Sequence, residues 1–217
     1  MASGAQETAE SFVRVAISRG DMPPGYRLVE ADLVARTGVS RGAVRLAIDA
    51  LIAEGLVERI PNRGARVRVV STDEAVAITE VRLPLEALLA RKAAERITDA
   101  EIDGLRAHLE TMTAAVDSGD VRTYSELIQQ LYGLVGEAAR HPIAADLVGR
   151  LQAQLVRHQF RLSLRPGRPR VSLAGLTELV DAVTARDPAR AEAAASTHLR
   201  GVIAALSEPI PDPGGPA

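Results

Sequence analysis

The chain has 217 residues, 47% of them hydrophobic and 2% aromatic, with a formal net charge of −2 at pH 7 and no cysteine. This composition allows one large or two small domains and excludes disulfides, cysteine nucleophiles and cysteine-based zinc sites. The sequence has neither a signal peptide nor an uninterrupted apolar stretch of 18 residues, so we expect a cytoplasmic protein without a membrane segment.

The first 54 residues have the pattern of three short helices. Apolar residues recur at helical spacing over residues 8–19, and two glycines and two prolines then end this helix. A short helix over about 30–36 and a longer one over about 41–54 follow. Between them, Gly38 suits a left-handed C-cap and Ser40 suits an N-cap.

The next segment, LVERIPNRGARVRVV (56–70), predicts a basic β-hairpin. Its centre, PNRG, is a turn sequence, and the alternation of Val67 and Val69 with two arginines is typical of a half-buried strand. Four arginines are expected around its tip: Arg59, Arg63, Arg66 and Arg68. Three helices followed by such a hairpin indicate a winged helix-turn-helix.

Positive charge is concentrated in this part of the chain. Residues 33–70 carry seven arginines and three acidic residues, whereas residues 71–217 carry sixteen basic and twenty acidic residues. A local positive excess in an otherwise acidic chain is typical of a segment that contacts nucleic acid.

Two arginines stand at the start of the third helix, off its apolar face. Arg41 and Arg45 are four residues apart, so they lie side by side on the helix surface. A recognition helix enters the major groove amino end first, where guanidinium groups can bind guanine or phosphate. An isolated pair of this kind is more often solvated surface charge, but here the preceding turn, the register and the hairpin together favour DNA binding.

The remaining sequence predicts helices up to residue 207. They are expected over 71–81, 82–97, 98–116, 121–139, 142–164, 173–185 and 188–206. The predicted caps are a Thr98–Glu101 capping box, Asp120, Ser172 and Asp187, the last followed by proline. The segment RPGRPR (165–170) is expected to form a basic loop.

The amino-terminal motifs resemble the GntR family of bacterial transcription regulators. They are GDMPPG (20–25), LVEADLV (28–34), GVSRGAVRLAIDALIAEGLV (38–57) and Arg63-Gly64. The resemblance implies that Arg41, Arg45 and Gly64 contact DNA. The complete predicted DNA-binding set is Ser40, Arg41, Gly42, Arg45, Arg63, Gly64 and Arg66.

Three positions depart from the family pattern. Relatives often have proline at the position of Ala43 and glutamate at that of Leu46, and some have a DNA-contacting arginine at that of Ala31. We therefore expect this chain to differ from better-known members in affinity or operator sequence.

The later motifs resemble the FCD effector domain of one GntR subfamily. They are EVRLPLE (80–86), LYGLVGEAARHP (131–142) and ARDPARAEAAASTHL (185–199). The resemblance implies a mainly α protein, with a winged helix-turn-helix of three helices and a β-hairpin followed by an all-α helical bundle. Residues 1–70 would bind DNA, residues 71–207 would bind the effector and dimerise, and residues 208–217 would form a disordered tail.

Many FCD domains bind a divalent metal through an Asp-x-x-x-His pair, a Glu-His pair and a last histidine. The first four positions hold Ile128, Tyr132, Gly175 and Leu176 here, and only His198 remains. One imidazole does not make a three-ligand site, so we expect neither a metal nor another cofactor.

Loss of these ligands makes the expected cavity more apolar, which favours a larger and more apolar effector, such as a fatty-acyl or aromatic acid. An arginine would hold the anionic end. The predicted effector-binding residues are Arg82, Ile128, Tyr132, Arg157, Leu176 and His198. The alternative is that these residues fill a core that binds no ligand.

Together these patterns predict a transcription repressor that responds to a small-molecule effector. Inverted-repeat operators in double-stranded DNA imply a homodimer. A constitutive dimeric regulator without an effector is the alternative. GntR relatives fused to aminotransferase-like enzymes need a Schiff-base lysine and several hundred more residues, whereas this chain has one lysine, Lys92, so we expect no enzyme activity.

Overall fold

The computed structural model describes residues 4–61 and 63–208 of the chain. These residues form two compact units, one ending at Ser71 and the other beginning at Thr72. The tail predicted to be disordered, residues 208–217, lies outside the described residues except for Glu208. No helix within the described ranges is both long enough and apolar enough to cross a membrane.

The first unit contains three helices and a small antiparallel sheet. Its elements are α1 (Gly4–Arg19), β1 (Arg27–Leu28), α2 (Glu30–Thr37), α3 (Arg41–Ala53), β2 (Val57–Ile60) and β3 (Gly64–Val67). The strands are ordered β1-β3-β2, with β3 in the centre. Val13 of α1 and Val44 and Leu51 of α3 are fully buried between the helices. This arrangement confirms the predicted winged helix-turn-helix.

Both predicted caps around the start of α3 are confirmed. Gly38 has a φ of 71° and ends α2 in the left-handed region, where its amide donates to the Val34 carbonyl. The Ser40 hydroxyl accepts a hydrogen bond from the Ala43 amide at 3.2 Å. The two caps fix the turn between the helices, and thereby where α3 begins.

The second strand of the hairpin is shorter than predicted. It ends at Val67, and Val69 is 57% exposed rather than half-buried. The pairing of β3 with β2 ends at Val67 and Val57, beyond which the Arg68 amide donates to the Leu56 carbonyl at 3.0 Å. The opposite edge of β3 pairs with β1, a two-residue strand that the sequence pattern did not predict.

The second unit is entirely helical within the described residues. Its helices are α4 (Thr72–Arg96), α5 (Asp99–Ser118), α6 (Val121–Ala139), α7 (Pro142–Ala153), α8 (Val156–Ser163), α9 (Arg168–Thr184) and α10 (Pro188–Ser207). Helix α4 packs against α10 most extensively and also contacts α6, α7 and α9. The core includes the buried side chains of Leu105, Met112, Leu131 and Leu176. A mainly α protein with a helical bundle after the winged helix is confirmed.

The predicted break between the first two helices of this unit is wrong. Helix α4 is continuous, and Pro84 lies inside it. Proline removes one helical hydrogen bond, to the carbonyl of Glu80, and both residues lie on the exposed side of α4 where water can reach that carbonyl. The packing of α4 along α10 stabilises the helix on either side of the proline.

Two further boundaries differ from the prediction. The helix expected over 142–164 is interrupted at Gln154 and Leu155, and the buried Leu155 departs from helical geometry with φ −103° and ψ 0°. Helix α9 begins at Arg168 because Gly167 adopts a φ of 75° and Pro169 suits a first turn. Ser172 is therefore a buried residue within α9 and not its cap.

The other predicted caps are confirmed. Thr98 and Glu101 form a reciprocal capping box at the start of α5. Asp120 accepts a hydrogen bond from the Thr123 amide at 3.0 Å, and Asp187 accepts one from the Arg190 amide at 3.0 Å. These local interactions set where α5, α6 and α10 begin.

Candidate nucleic-acid interface and effector cavity

The first turns of α3 display Arg41 and Arg45 on the protein surface, with side chains 66% and 63% exposed. Both contact the carboxylate of Glu30, the first residue of α2. The distance from Nε to Oε2 is 3.3 Å for Arg41 and 3.0 Å for Arg45. Glu30 therefore holds two neighbouring guanidinium groups at the amino end of α3. The sequence motif contained Glu30, but nothing in the motif alone indicated this contact.

Ser40 and Gly42 flank Arg41 at the exposed start of α3. The Ser40 hydroxyl is engaged in the helix cap, so this residue shapes the turn as well as lying on the surface. A Cβ added at Gly42 would meet nothing nearer than the Ser40 hydroxyl, at 3.9 Å. The backbone at the amino end of α3 is therefore accessible to a large partner such as a nucleic-acid strand.

The hairpin of β2 and β3, which forms the wing, carries the other predicted DNA-binding residues. Arg63 and Gly64 are exposed, and Gly64 has a φ of 86°, a conformation that favours glycine at this turn. Arg66 of β3 contacts Glu58 of β2, with Nε 2.6 Å from Oε1. Arg59 of β2, which belongs to the expected basic cluster, pairs with Asp49 and so connects the hairpin to α3.

The second unit contains a small cavity among α4, α6, α8, α9 and α10, with a volume of about 50 Å³. Four of the six predicted effector-binding residues line it: Arg82, Ile128, Tyr132 and His198. The other two do not. Leu176 is fully buried outside the lining, and Arg157 lies exposed on α8.

Arg82 forms a buried ion pair at one side of the cavity. Its Nη2 lies 2.6 Å from Oε1 of Glu86, and the two side chains are only 5% and 4% exposed. Gln152 donates to the same carboxylate oxygen at 3.3 Å, and the Arg82 guanidinium lies 5.6 Å from the centre of the Tyr132 ring. Burial raises the pKa of the Glu86 carboxyl, while the charge of Arg82 opposes that rise. The charge of Arg82 is thus already compensated inside the protein.

His198 enters the cavity from α10 and packs against Gly175 of α9. A Cβ added at Gly175 would lie 2.8 Å from Nδ1 of His198, so only glycine leaves room for the ring. Burial, together with the nearby positive charges of Arg168 and Arg82, lowers the pKa of His198 to about 4. The imidazole is therefore neutral near pH 7.

A further arginine that the sequence did not single out lies in the cavity lining. Arg168, the first residue of α9, is partly buried and donates to the Gly201 carbonyl at 3.2 Å. Burial lowers the pKa of its guanidinium. The segment RPGRPR was expected to be a loop, so the inward placement of Arg168 follows from the early start of α9.

The cavity does not have the donors of the family's metal site. Ile128, Tyr132 and Leu176 replace the aspartate and two of the histidines. Throughout residues 4–61 and 63–208, no group of three histidine, aspartate or glutamate side chains is arranged to hold a metal ion. Burial raises the pKa of Tyr132, so its phenol stays protonated near neutral pH.

Residues 5–67 match the description "Bacterial regulatory proteins, gntR family", and residues 77–201 match "FCD domain". The transcriptional repressor RspR of Escherichia coli is 27% identical over 82% of this chain and 78% of its own length. NanR of Citrobacter rodentium, another repressor, is 29% identical over 91% of this chain and 84% of its own length.

The fold also matches solved structures. E. coli McbR/YncC superposes with a TM-score of 0.83, covering 94% of this chain and 97% of that one at 21% identity. A transcriptional regulator from Rhodococcus sp. RHA1 gives a TM-score of 0.74 over 94% of this chain and 98% of its own, at 20% identity. The chain thus belongs to the GntR family of bacterial regulatory proteins, which are DNA-binding transcription regulators and not enzymes, and its helical unit contains an FCD domain.

Proposed function

We propose that the protein is a transcriptional repressor that binds an inverted-repeat operator as a homodimer and responds to a small-molecule acid. The observation that carries the DNA-binding part is the pair of exposed arginines at the amino end of α3, held together by Glu30. The repressor names of RspR and NanR support the direction of regulation.

In this proposal, α3 lies in the major groove with its capped amino end leading. Arg41 and Arg45 then reach base edges or phosphates, and Arg63, Gly64 and Arg66 of the wing contact the adjacent backbone. The contact with Glu30 is exposed, so DNA oxygens can replace the carboxylate at little cost. A dimer places two such helices on two half-sites of the operator.

The regulatory part rests on the cavity of the helical unit. Arg82, Ile128, Tyr132 and His198 line it together with apolar side chains, which suits an acid with an acyl or aromatic body and no metal. Effector binding lowers operator affinity only as far as the effector prefers the dimer arrangement that does not fit the operator. Arg157 and Leu176 remain effector candidates only if the cavity opens towards them.

The DNA-binding part is tested with the DNA upstream of the protein's own gene. The Arg41→Ala plus Arg45→Ala variant should lose about 1–3 kcal/mol of binding free energy per arginine and show a smaller salt slope. The matched control is Arg157→Ala plus Arg161→Ala, an exposed pair with the same spacing on α8. If the first variant bound as tightly as the wild type at moderate salt, the assignment of α3 as recognition helix would be wrong.

The small cavity volume favours a second candidate function, a constitutive dimeric regulator whose helical unit only dimerises. Native mass spectrometry of the purified protein separates the two. A dimer carrying an organic mass on each chain supports the effector, and a metal mass would contradict the metal-free cavity. A bare dimer that no small acid releases from DNA supports the constitutive regulator.

A further inference from the structure

Four cationic or basic side chains line the cavity, Arg82, His158, Arg168 and His198, but they are not equivalent. Arg82 is compensated by Glu86, and His198 is neutral near pH 7. Among the described residues, the guanidinium of Arg168 donates to a neutral carbonyl, that of Gly201. The carboxylate of Glu208 acts on Arg168 electrostatically, but it is itself paired with Arg165, whose Nη1 lies 3.3 Å from Oε2. Arg168 therefore places at the cavity wall a positive charge that has no ion-pair partner of its own among the described residues.

A second donor in the cavity wall also lacks a partner. The side-chain oxygen of Gln159 accepts a hydrogen bond from Gln129, whereas its Nε2 is buried without a hydrogen-bond partner among the described residues. A buried donor left unsatisfied costs free energy that a bound acceptor would recover. Arg168 and Gln159 line the same cavity, so a cation and an unsatisfied donor are available to one anionic group.

We propose that Arg168 anchors the carboxylate of a short monocarboxylic acid in this cavity, with Gln159 as a second donor. The inference rests on the proposed effector function and names its ligand class. A carboxylate has two oxygens, and it matches a guanidinium better than a single-atom anion does because both oxygens can accept hydrogen bonds.

The size and charge of the cavity restrict the acid further. A cavity of about 50 Å³ holds only a few water-sized groups, since one water needs about 10–15 Å³. It therefore suits a smaller acid than the larger effector expected from the sequence. The apolar part of the ligand would contact the walls formed by Leu155, Leu162 and Leu199. A second carboxylate would have no uncompensated cation to pair with, and its burial would be unfavourable. Short monocarboxylates should therefore bind better than dicarboxylates.

The test is calorimetric titration of the full-length protein with propionate, butyrate, benzoate and succinate. Propionate or butyrate should bind wild-type protein more tightly than succinate. Arg168→Gln should weaken that binding roughly 10- to 100-fold, the range for a lost hydrogen bond to a charged group. The matched control, Arg170→Gln, removes a charge two residues later on α9 whose side chain is 77% exposed, and it should bind like the wild type.

The protonation of His198 provides a second measurement of binding in the cavity. A bound carboxylate beside His198 raises the pKa of its imidazole, which the ring-proton chemical shifts follow in a pH titration with and without propionate. Arg168→Lys keeps the charge and should restore part of the binding, which guards against a folding defect in Arg168→Gln.

If none of these acids binds wild-type protein, the ligand class is wrong, while operator binding by Arg41 and Arg45 is judged by its own test. If propionate binds Arg168→Gln and wild type equally, the anchor is wrong although the effector function stands. If succinate binds as tightly as propionate, the restriction to monocarboxylates is wrong.

Discussion

Each unit of the protein joins arginine to glutamate, but in opposite surroundings. In the winged helix, Glu30 contacts Arg41 and Arg45 at the surface, where solvent screens the charges. In the helical unit, Arg82 and Glu86 are almost completely buried. An exposed pair exchanges partners at little cost, whereas a buried pair loses much free energy when one member is removed. The first arrangement suits a surface that must bind DNA, and the second fixes the geometry of an interior.

The comparison predicts its largest effect for the buried pair. Arg82→Met leaves the Glu86 carboxyl buried without its cation, so we expect the free energy of unfolding to fall by about 3–5 kcal/mol. The measurement is urea unfolding followed by far-ultraviolet circular dichroism. Adding Glu86→Leu should recover most of the loss, because the double variant buries no unpaired charge. A loss below about 1 kcal/mol in the single variant would show that the buried pair behaves like a surface pair.

Burial of His198 also makes the free energy of unfolding depend on pH. Its pKa is lowered from 6.5 to about 4, so between these values the unfolded state binds a proton that the folded state does not. Stability from this residue is present above pH 6.5 and falls as the pH decreases to 4, by about 3 kcal/mol in total. His198→Gln should flatten this part of the curve of unfolding free energy against pH. Identical slopes for variant and wild type would mean that the imidazole titrates normally.

The close contact between Gly175 and His198 predicts that a larger side chain at position 175 lowers stability. Gly175→Ala places a Cβ against Nδ1 of His198, and such overpacking costs about 1–3 kcal/mol, partly offset by the better helix propensity of alanine. The matched control is Gly133→Ala in α6, where an added Cβ meets nothing within 4 Å. That control should stabilise the protein by up to about 1 kcal/mol. Opposite signs for the two variants in thermal unfolding would support the contact, and equal signs would contradict it.

Features that depend on neighbouring residues could be predicted from the sequence. Ser40, Gly38 and the Thr98–Glu101 box cap helices through hydrogen bonds spanning three or four residues, and the structure has all of them. The arginines of α3 were placed correctly on its exposed face for the same reason, since a helix fixes which residues share a face. The resemblance to the FCD domain likewise located three cavity residues that are distant from one another in the sequence, Arg82, Tyr132 and His198.

Features that depend on how helices pack were missed. Glu30 meets Arg41 and Arg45 because α2 and α3 lie against each other, which no local pattern encodes. The position of Pro84 predicts the start of a helix, but α4 continues on both sides of it because α4 packs against α10. Arg168 reads as part of a loop, and only the beginning of α9 at this residue brings it to the cavity.

The smallest expected effect concerns the exposed cluster formed by Glu30, Arg41 and Arg45. It is an effect on DNA binding more than on stability. Glu30→Gln removes a negative charge beside Arg41 and Arg45, so affinity for non-operator DNA should rise about two- to five-fold at low salt, matching the free energy of a surface ion pair. The gain should shrink as added salt screens the charge. Stability should change little. Fluorescence anisotropy with operator and non-operator DNA measures both affinities.

The control for this variant removes a charge from the same surface without touching the recognition arginines. Asp49→Asn releases Arg59 instead, so it should also strengthen non-operator binding but leave the ratio of operator to non-operator affinity unchanged. Glu30→Gln should lower that ratio, because the two guanidinium groups are then no longer held in one orientation before they meet the bases. If both variants left the ratio unchanged, Glu30 would act only through its charge, and the exposed cluster would not prepare the arginines for a particular sequence.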